Sequence, residues 1–262
     1  MNFKESFIIF LKGLCMGTAD IIPGVSGGTI ALITGIYERL VFGIKRINFN
    51  LKKSVDWEFF VPLVLGISCA FLALSRIIKL CLTDFTGLTY AFFFGLILAS
   101  AGVIYKKVGK LNSKDLLFLG VGFMFAFSFV GLKTLETEHT LLVIFFSGMM
   151  AICAMILPGI SGAFILLFLN QYEYLLGALN NLVLVEIFTF ITGAFLGILA
   201  FSRILSYLLK NYETHTFSFL VGLMLGSLRL PLQKILADVS PWALIPALLG
   251  VILVFILETK FK

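Results

Sequence analysis

Charge is scarce in this sequence: 13% of its 262 residues are Asp, Glu, Lys or Arg, against about 25% in a soluble domain. No stretch is long or polar enough to form a separate soluble domain. Hydrophobic residues make up 60% of the chain, with 29 Phe, and the near-uncharged runs reach bilayer-spanning length. The chain therefore reads as an all-α polytopic membrane protein. Cysteine is sparse too: Cys15, Cys69, Cys81 and Cys153 all lie in apolar surroundings without CxxC spacing, which argues against a disulfide framework or thiolate metal site. The two histidines, His139 and His215, are far apart and do not suggest a metal centre. No metal, cofactor or nucleic acid is expected, since nothing alternates basic and aromatic residues as a strand-binding groove does. The formal charge of +6 then reads as orientation signal and lipid headgroup contact.

What is present is a break. Pro23-Gly24-Val25-Ser26-Gly27-Gly28-Thr29 interrupts two apolar runs, and Pro158-Gly159-Ile160-Ser161-Gly162 recurs 135 residues later. Tyr37-Glu38 and Tyr172-Glu173 follow at the same distance. Proline and glycine break helices and free backbone N–H groups. In so apolar a context, such a break persists only where protein or trapped water satisfies the backbone. Both copies are read as broken helical hairpins re-entering a membrane, with their tips forming one site.

The repeat extends past the motif. Gly66…Leu72-Ala73-Leu74-Ser75-Arg76-Ile77 aligns with Gly193…Leu199-Ala200-Phe201-Ser202-Arg203-Ile204. Thr89…Phe92…Gly95-Leu96…Ser100 aligns with Thr216…Phe219…Gly222-Leu223…Ser227. Residues 4–17 align with 139–152, so the short apolar run after Lys4 is expected to belong to the fold rather than to a signal peptide. The chain is read as two homologous repeats, 1–132 and 139–258, together one membrane domain. The first has half-helices at 3–17 and 28–44 and spans near 58–81, 87–105 and 115–132. The second has half-helices at 140–156 and 162–180 and spans near 184–209, 215–230 and 241–258.

A hairpin that adds no net crossing plus three spans makes an odd total, so the halves must be inverted. The basic loops 45–57 and 106–114, the Lys210 turn and the Lys260/Lys262 tail then share one side. Glu136, Glu138, Lys234 and Asp238 fall on the other. The positive-inside rule makes the first side cytoplasmic, with both termini there. Inverted repeats with broken helices are a common architecture of secondary transporters.

Ser26-Gly27-Gly28-Thr29 and Ser161-Gly162 each open a helix, where free N–H groups and the dipole favour an anion. Such an end contributes about 0.3–2 kcal/mol. Burying an ion in hydrocarbon costs tens of kcal/mol by Born estimates, so cations or water must assist. Arg76 and Arg203 occupy equivalent places and suit a phosphate. They equally suit snorkelling to headgroups, and both readings stay open. Asp20, Glu38 and Glu173 are acids in apolar surroundings, where burial disfavours the ionised form, so each is a candidate carrier of a coupling proton. Met155 stands where Asp20 has its counterpart. Glu38 and Glu173 lie about 18 Å from their serines along a straight helix, which favours an interfacial anchor or a partner for Arg39. Tyr37 and Tyr172 read as aromatic-belt residues, and Pro62 and Pro246 as kinks. Small residues packing helices tightly would also account for the motif.

The pattern Gly17-Thr18-Ala19-Asp20…Pro23-Gly24-Val25-Ser26-Gly27-Gly28-Thr29…Gly35-Ile36-Tyr37-Glu38 resembles the signature of the bacterial and archaeal polyprenyl-phosphate transporters. The second copy matches more loosely, with Ala163 and Phe164 in place of Gly and Thr. The resemblance covers essentially the whole chain. It implies a lipid flippase of the cell membrane that recycles undecaprenyl phosphate from the outer to the inner leaflet, not an enzyme. Two other readings remain. An integral-membrane undecaprenyl-diphosphate phosphatase would carry Arg-Ser where Gly27-Gly28 stand. A transporter of a small soluble anion would have a site sealed from lipid, whereas a groove opening sideways favours a lipid.

Overall fold

The computed structural model describes residues 3–22, 25–47, 54–109 and 112–261. Pro23 and Gly24 of the first motif, Lys52 and Lys53 of the first basic loop, and Lys110 lie outside the described residues. Among the described residues the architecture is helical. The first half comprises α1 (Phe3–Asp20), α2 (Gly27–Ile33), α3 (Tyr37–Lys45), α4 (Trp57–Asp84), α5 (Thr86–Val108) and α6 (Ser113–Val130). The second comprises α7 (Leu141–Ile156), α8 (Gly162–Phe168), α9 (Tyr172–Asn180), α10 (Leu184–Asn211), α11 (Glu213–Ser227), α12 (Arg229–Ala237) and α13 (Leu244–Phe261).

Five of these stretches are long and apolar enough to cross a membrane, with α11 and α12 counted as one, and two bent helix pairs bring the number to seven. This is a polytopic membrane protein. Helices α5 and α11 are the most buried spans, while α4, α6 and α10 turn most of their apolar side chains outward. Helix starts follow local chemistry. Asp56 accepts from the Phe59 amide at the head of α4, Thr140 from the Val143 amide at α7, and Asn112 and Asp115 form a capping box at α6.

The arms expected at 28–44 and 162–180 are not single helices. Each breaks after seven residues, and the next helix turns away by 115° (α2 to α3) and 104° (α8 to α9). The cause is a left-handed cap. Gly35 has φ 73° and Asn170 φ 54°; the amides of Ile36 and Gln171 reach back to the Ala31 and Leu166 carbonyls, closing each helix as in a Schellman motif. The straight-helix separation of Glu38 and Glu173 from their serines falls with this bend. Three smaller expectations also change. Helix α1 continues beyond residue 17 to Asp20, and the expected 231–240 loop is helical as far as Ala237. Pro246 sits in the first turn of α13, where no helical hydrogen bond is lost, whereas Pro62 lies in the interior of α4.

Close helix pairs form at reciprocal glycines. In α1 and α4, a methyl on Gly13 would strike the Leu63 carbonyl and one on Gly66 the Phe10 carbonyl. Their counterparts Gly148 and Gly193 do the same between α7 and α10, against Phe190 and Phe145. The other two pairs exchange between halves. Gly95 and Gly250 bring α5 against α13, and Gly122 and Gly222 bring α6 against α11. Small residues admit such approach where no hydrophobic drive separates lipid from protein. Asp238 adds a further tie, accepting from the Gly87 amide at 2.7 Å in the first turn of α5.

Candidate functional site

At the first tip, α1 ends at Asp20 and α2 begins at Gly27. Ser26 is extended (φ −125°, ψ 135°) and caps α2, its hydroxyl accepting from the Gly28 amide at 3.1 Å. That hydroxyl also lies within donating distance of the Met155 carbonyl (3.1 Å) and the Leu157 carbonyl (2.9 Å). These acceptors end α7 in the other half, so the two tips touch. Gly28 is needed there, because a methyl on it would collide with the Ile156 carbonyl.

The two tips are chemically unequal. Asp20 accepts from the Gly27 amide at 2.7 Å, so a carboxylate already occupies the position where an external anion would approach α2. Thr29 is wholly buried, and its hydroxyl has no partner among the described residues. At the second tip Pro158 and Gly159 make the turn. Gly159 has φ 86° and abuts the Leu223 carbonyl, so both its conformation and its surroundings call for glycine. Ser161 has an N-cap backbone (φ −99°, ψ 135°) but its hydroxyl makes no cap bond. The Met155 side chain abuts Gly162 in the place Asp20 holds at Gly27. Ser161, Gly159, Phe129 and Ser227 line a cavity of about 10 Å³, the size of one water.

A larger opening leads to this tip. Helices α6, α10 and α11 frame a groove of about 780 Å³, with Leu157 and Leu223 at its inner end and Lys114, Tyr212 and His215 at its outer end. Phe118, Val121, Phe125 and Ile204 on its walls are 41–57% exposed, so it opens on the lateral surface. Phe125 and Leu157 also line an adjoining apolar hollow of about 310 Å³ that reaches Ile160 and Ile165.

Other predicted residues lie elsewhere. Arg76 and Arg203 are exposed on α4 and α10, with no hydrogen bond or ion pair among the described residues linking them to the tips. Arg203 does lie between Phe201 and Ile204, which line the groove. Glu38 is half-exposed, 3.9 Å from Lys107. Arg39 instead pairs with Asp56 at 2.7 Å and sits 4.6 Å over the Phe59 ring. Glu173 is exposed. Tyr37 is buried in the core, because the bend turns α3 inward, so the belt reading fails for it.

Two features escaped the sequence reading. Lys12 is buried and donates to the Thr34 carbonyl at 2.7 Å, placing a cation at the C-terminal end of α2. In the other half the Thr137 hydroxyl meets the equivalent Leu169 carbonyl, and Gln171 ties Thr137 to His139. A lone lysine within an apolar half-helix was the available signal. The second feature is the contact between His215 and Asp115, a hundred residues apart, for which the sequence holds no signal.

Two bent helix pairs that meet at the Ser26 contact within a helical membrane bundle define a polytopic protein of the broken-helix type. A family model described as undecaprenyl phosphate translocase-like matches residues 16–241, and the chain belongs to that family. It is 43% identical over 240 residues to the polyprenyl-phosphate transporter of Vibrio cholerae serotype O1 (strain ATCC 39315 / El Tor Inaba N16961), covering 87% of this chain and 77% of that protein. It is 29% identical over 240 residues to the polyprenyl-phosphate transporter of Staphylococcus aureus (strain NCTC 8325 / PS 47), covering 85% and 84% respectively. No solved structure matches the chain.

Proposed function

We propose that this protein moves a polyprenyl phosphate across the cell membrane, recycling undecaprenyl phosphate from the outer to the inner leaflet. One observation carries the reading: the groove that ends at the second tip is apolar and opens sideways. A lipid can keep its tail in the bilayer while only its head enters such a path. A small soluble anion would gain nothing from it. The names of the two relatives agree, and both describe transporters rather than enzymes.

In this reading the halves 1–132 and 139–258 are inverted, each with a re-entrant hairpin, and both termini are cytoplasmic. The phosphate meets Pro158, Gly159, Ser161 and Gly162, where the donors are uncommitted. Pro23, Gly24, Ser26, Gly27, Gly28 and Thr29 form the opposing tip, and Ser26 braces the pair. Asp20 must give up Gly27 or become neutral before that side accepts an anion, which makes it the first choice for a coupling proton. Glu38 and Glu173 are the more distant choices. Arg76 and Arg203 serve the outer and inner approaches. The phosphatase reading is weaker, since Gly27-Gly28 supply no side chain to stabilise a transferring phosphoryl group.

The test is leaflet accessibility of labelled undecaprenyl phosphate in proteoliposomes, with Ser161→Val, Arg76→Gln and Arg203→Gln beside the unaltered protein. Protein-dependent movement that Ser161→Val slows at least tenfold supports the reading. Movement independent of protein ends it, and phosphate release from the diphosphate form would favour the enzyme.

A further inference from the structure

At its outer end the groove changes character. Lys114 lies on the first turn of α6, exposed and without an ion-pair partner among the described residues. His215 lies opposite on α11, with Nδ1 against the buried carboxylate of Asp115 and its ring stacked on Phe118 at 5.1 Å. The second carboxylate oxygen of Asp115 is taken by the Asn112 amide at 3.0 Å. The acid is thus committed to helix and histidine. With Nδ1 engaged and the residue lining the groove, Nε2 is the ring nitrogen left for a ligand.

From Lys114 to Phe125 the groove follows 11 residues of helix, about 16 Å. That is roughly half of a hydrocarbon core about 30 Å thick. One end is therefore at the second tip, and the other is one leaflet away, at the basic loop 106–114.

Resting on the transport reading above, we propose that Lys114 and His215 form a second anion station, taking the phosphate monoester of a lipid whose isoprenoid chain lies in the groove. The Lys114 ammonium and the His215 ring in its doubly protonated form, Nδ1–H on Asp115 and Nε2–H on the phosphate, complement the charge of the head, and the walls suit a long apolar chain. The station lies on the side that the basic loops assign to the cytoplasm, where a head descending from the tips would come to rest before release.

The experiment measures binding to the full chain in nanodiscs, using farnesyl phosphate, farnesol and inorganic phosphate as probes. Farnesyl phosphate should bind at least tenfold more tightly than farnesol. Lys114→Gln and His215→Gln should each weaken farnesyl phosphate by about tenfold, the scale of one charged hydrogen bond, and leave farnesol unchanged. Leu205→Trp, which fills the groove, should weaken both prenyl probes, and the unchanged farnesol affinity of the Lys114 variant shows that it folds. Farnesyl phosphate binding both polar variants as tightly as it binds the unaltered protein overturns the station, as does inorganic phosphate binding as tightly as the lipid. Translocation of undecaprenyl phosphate, measured in parallel, separates the two ideas. Lost translocation with Lys114-dependent binding intact counts against transport alone; intact translocation with Lys114-independent binding counts against the station alone.

Discussion

Replacing the two equivalent serines by alanine should give unequal results. Ser26 is wholly buried, caps the Gly28 amide and reaches the Met155 and Leu157 carbonyls of the other half. Loss of an N-cap hydroxyl costs about 1 kcal/mol, and loss of a buried hydrogen bond across the tips about another 0.5–1.5 kcal/mol. Ser26→Ala should therefore destabilise by roughly 2 kcal/mol, equivalent to a drop of about 4–8 °C in Tm for a chain of this size. Ser161 makes no cap bond, so Ser161→Ala should stay within about 0.5 kcal/mol. Thermal unfolding in one detergent, followed by intrinsic fluorescence, reads both variants. Equal shifts, or a larger one for Ser161→Ala, would refute the claim that Ser26 braces the tips. Transport should rank the other way per unit of stability lost, because Ser161 is the hydroxyl left for a ligand.

Two further outcomes follow from packing and capping. Gly66→Ala drives a methyl into the Phe10 carbonyl between α1 and α4 and should cost about 1–3 kcal/mol; Gly102→Ala, which meets nothing, should stabilise α5 by about 0.5–1 kcal/mol, both read as shifts in Tm. Asp238→Ala removes the carboxylate from the Gly87 amide and should cost about 1 kcal/mol; protection of the first-turn amides of α5 from hydrogen exchange should fall with it.

The helical class and the breaks at the Pro-Gly motifs were legible because each rests on local chemistry. The second break in each hairpin was harder to see. Gly35 and Asn170 sit inside runs whose apolar character continues across the bend, and Asn adopts a left-handed cap readily enough that nothing else marks the position. The tip contact and an asymmetry between Asp20 and Met155 were anticipated, but the bond that makes the tips unequal was not. Replacement of Asp20 by Met155 was visible, yet only the folded backbone brings the Asp20 carboxylate to the Gly27 amide. Pairs such as His215 with Asp115 and Asp238 with Gly87 join residues 100 and 151 positions apart, and no periodicity encodes them. The groove is a property of three helices at once, so its walls read in the sequence only as lipid-facing apolar surface.

The exchanged glycine contacts bear on how the two halves depend on each other. Helix α5 lies against α13 and α11 against α6, so neither copy supplies the neighbour that its own glycine-faced helix requires. Either half alone would leave that face bare. Residues 1–132 and 139–258 therefore hold one another through these two seams, and separating them would strip both at once.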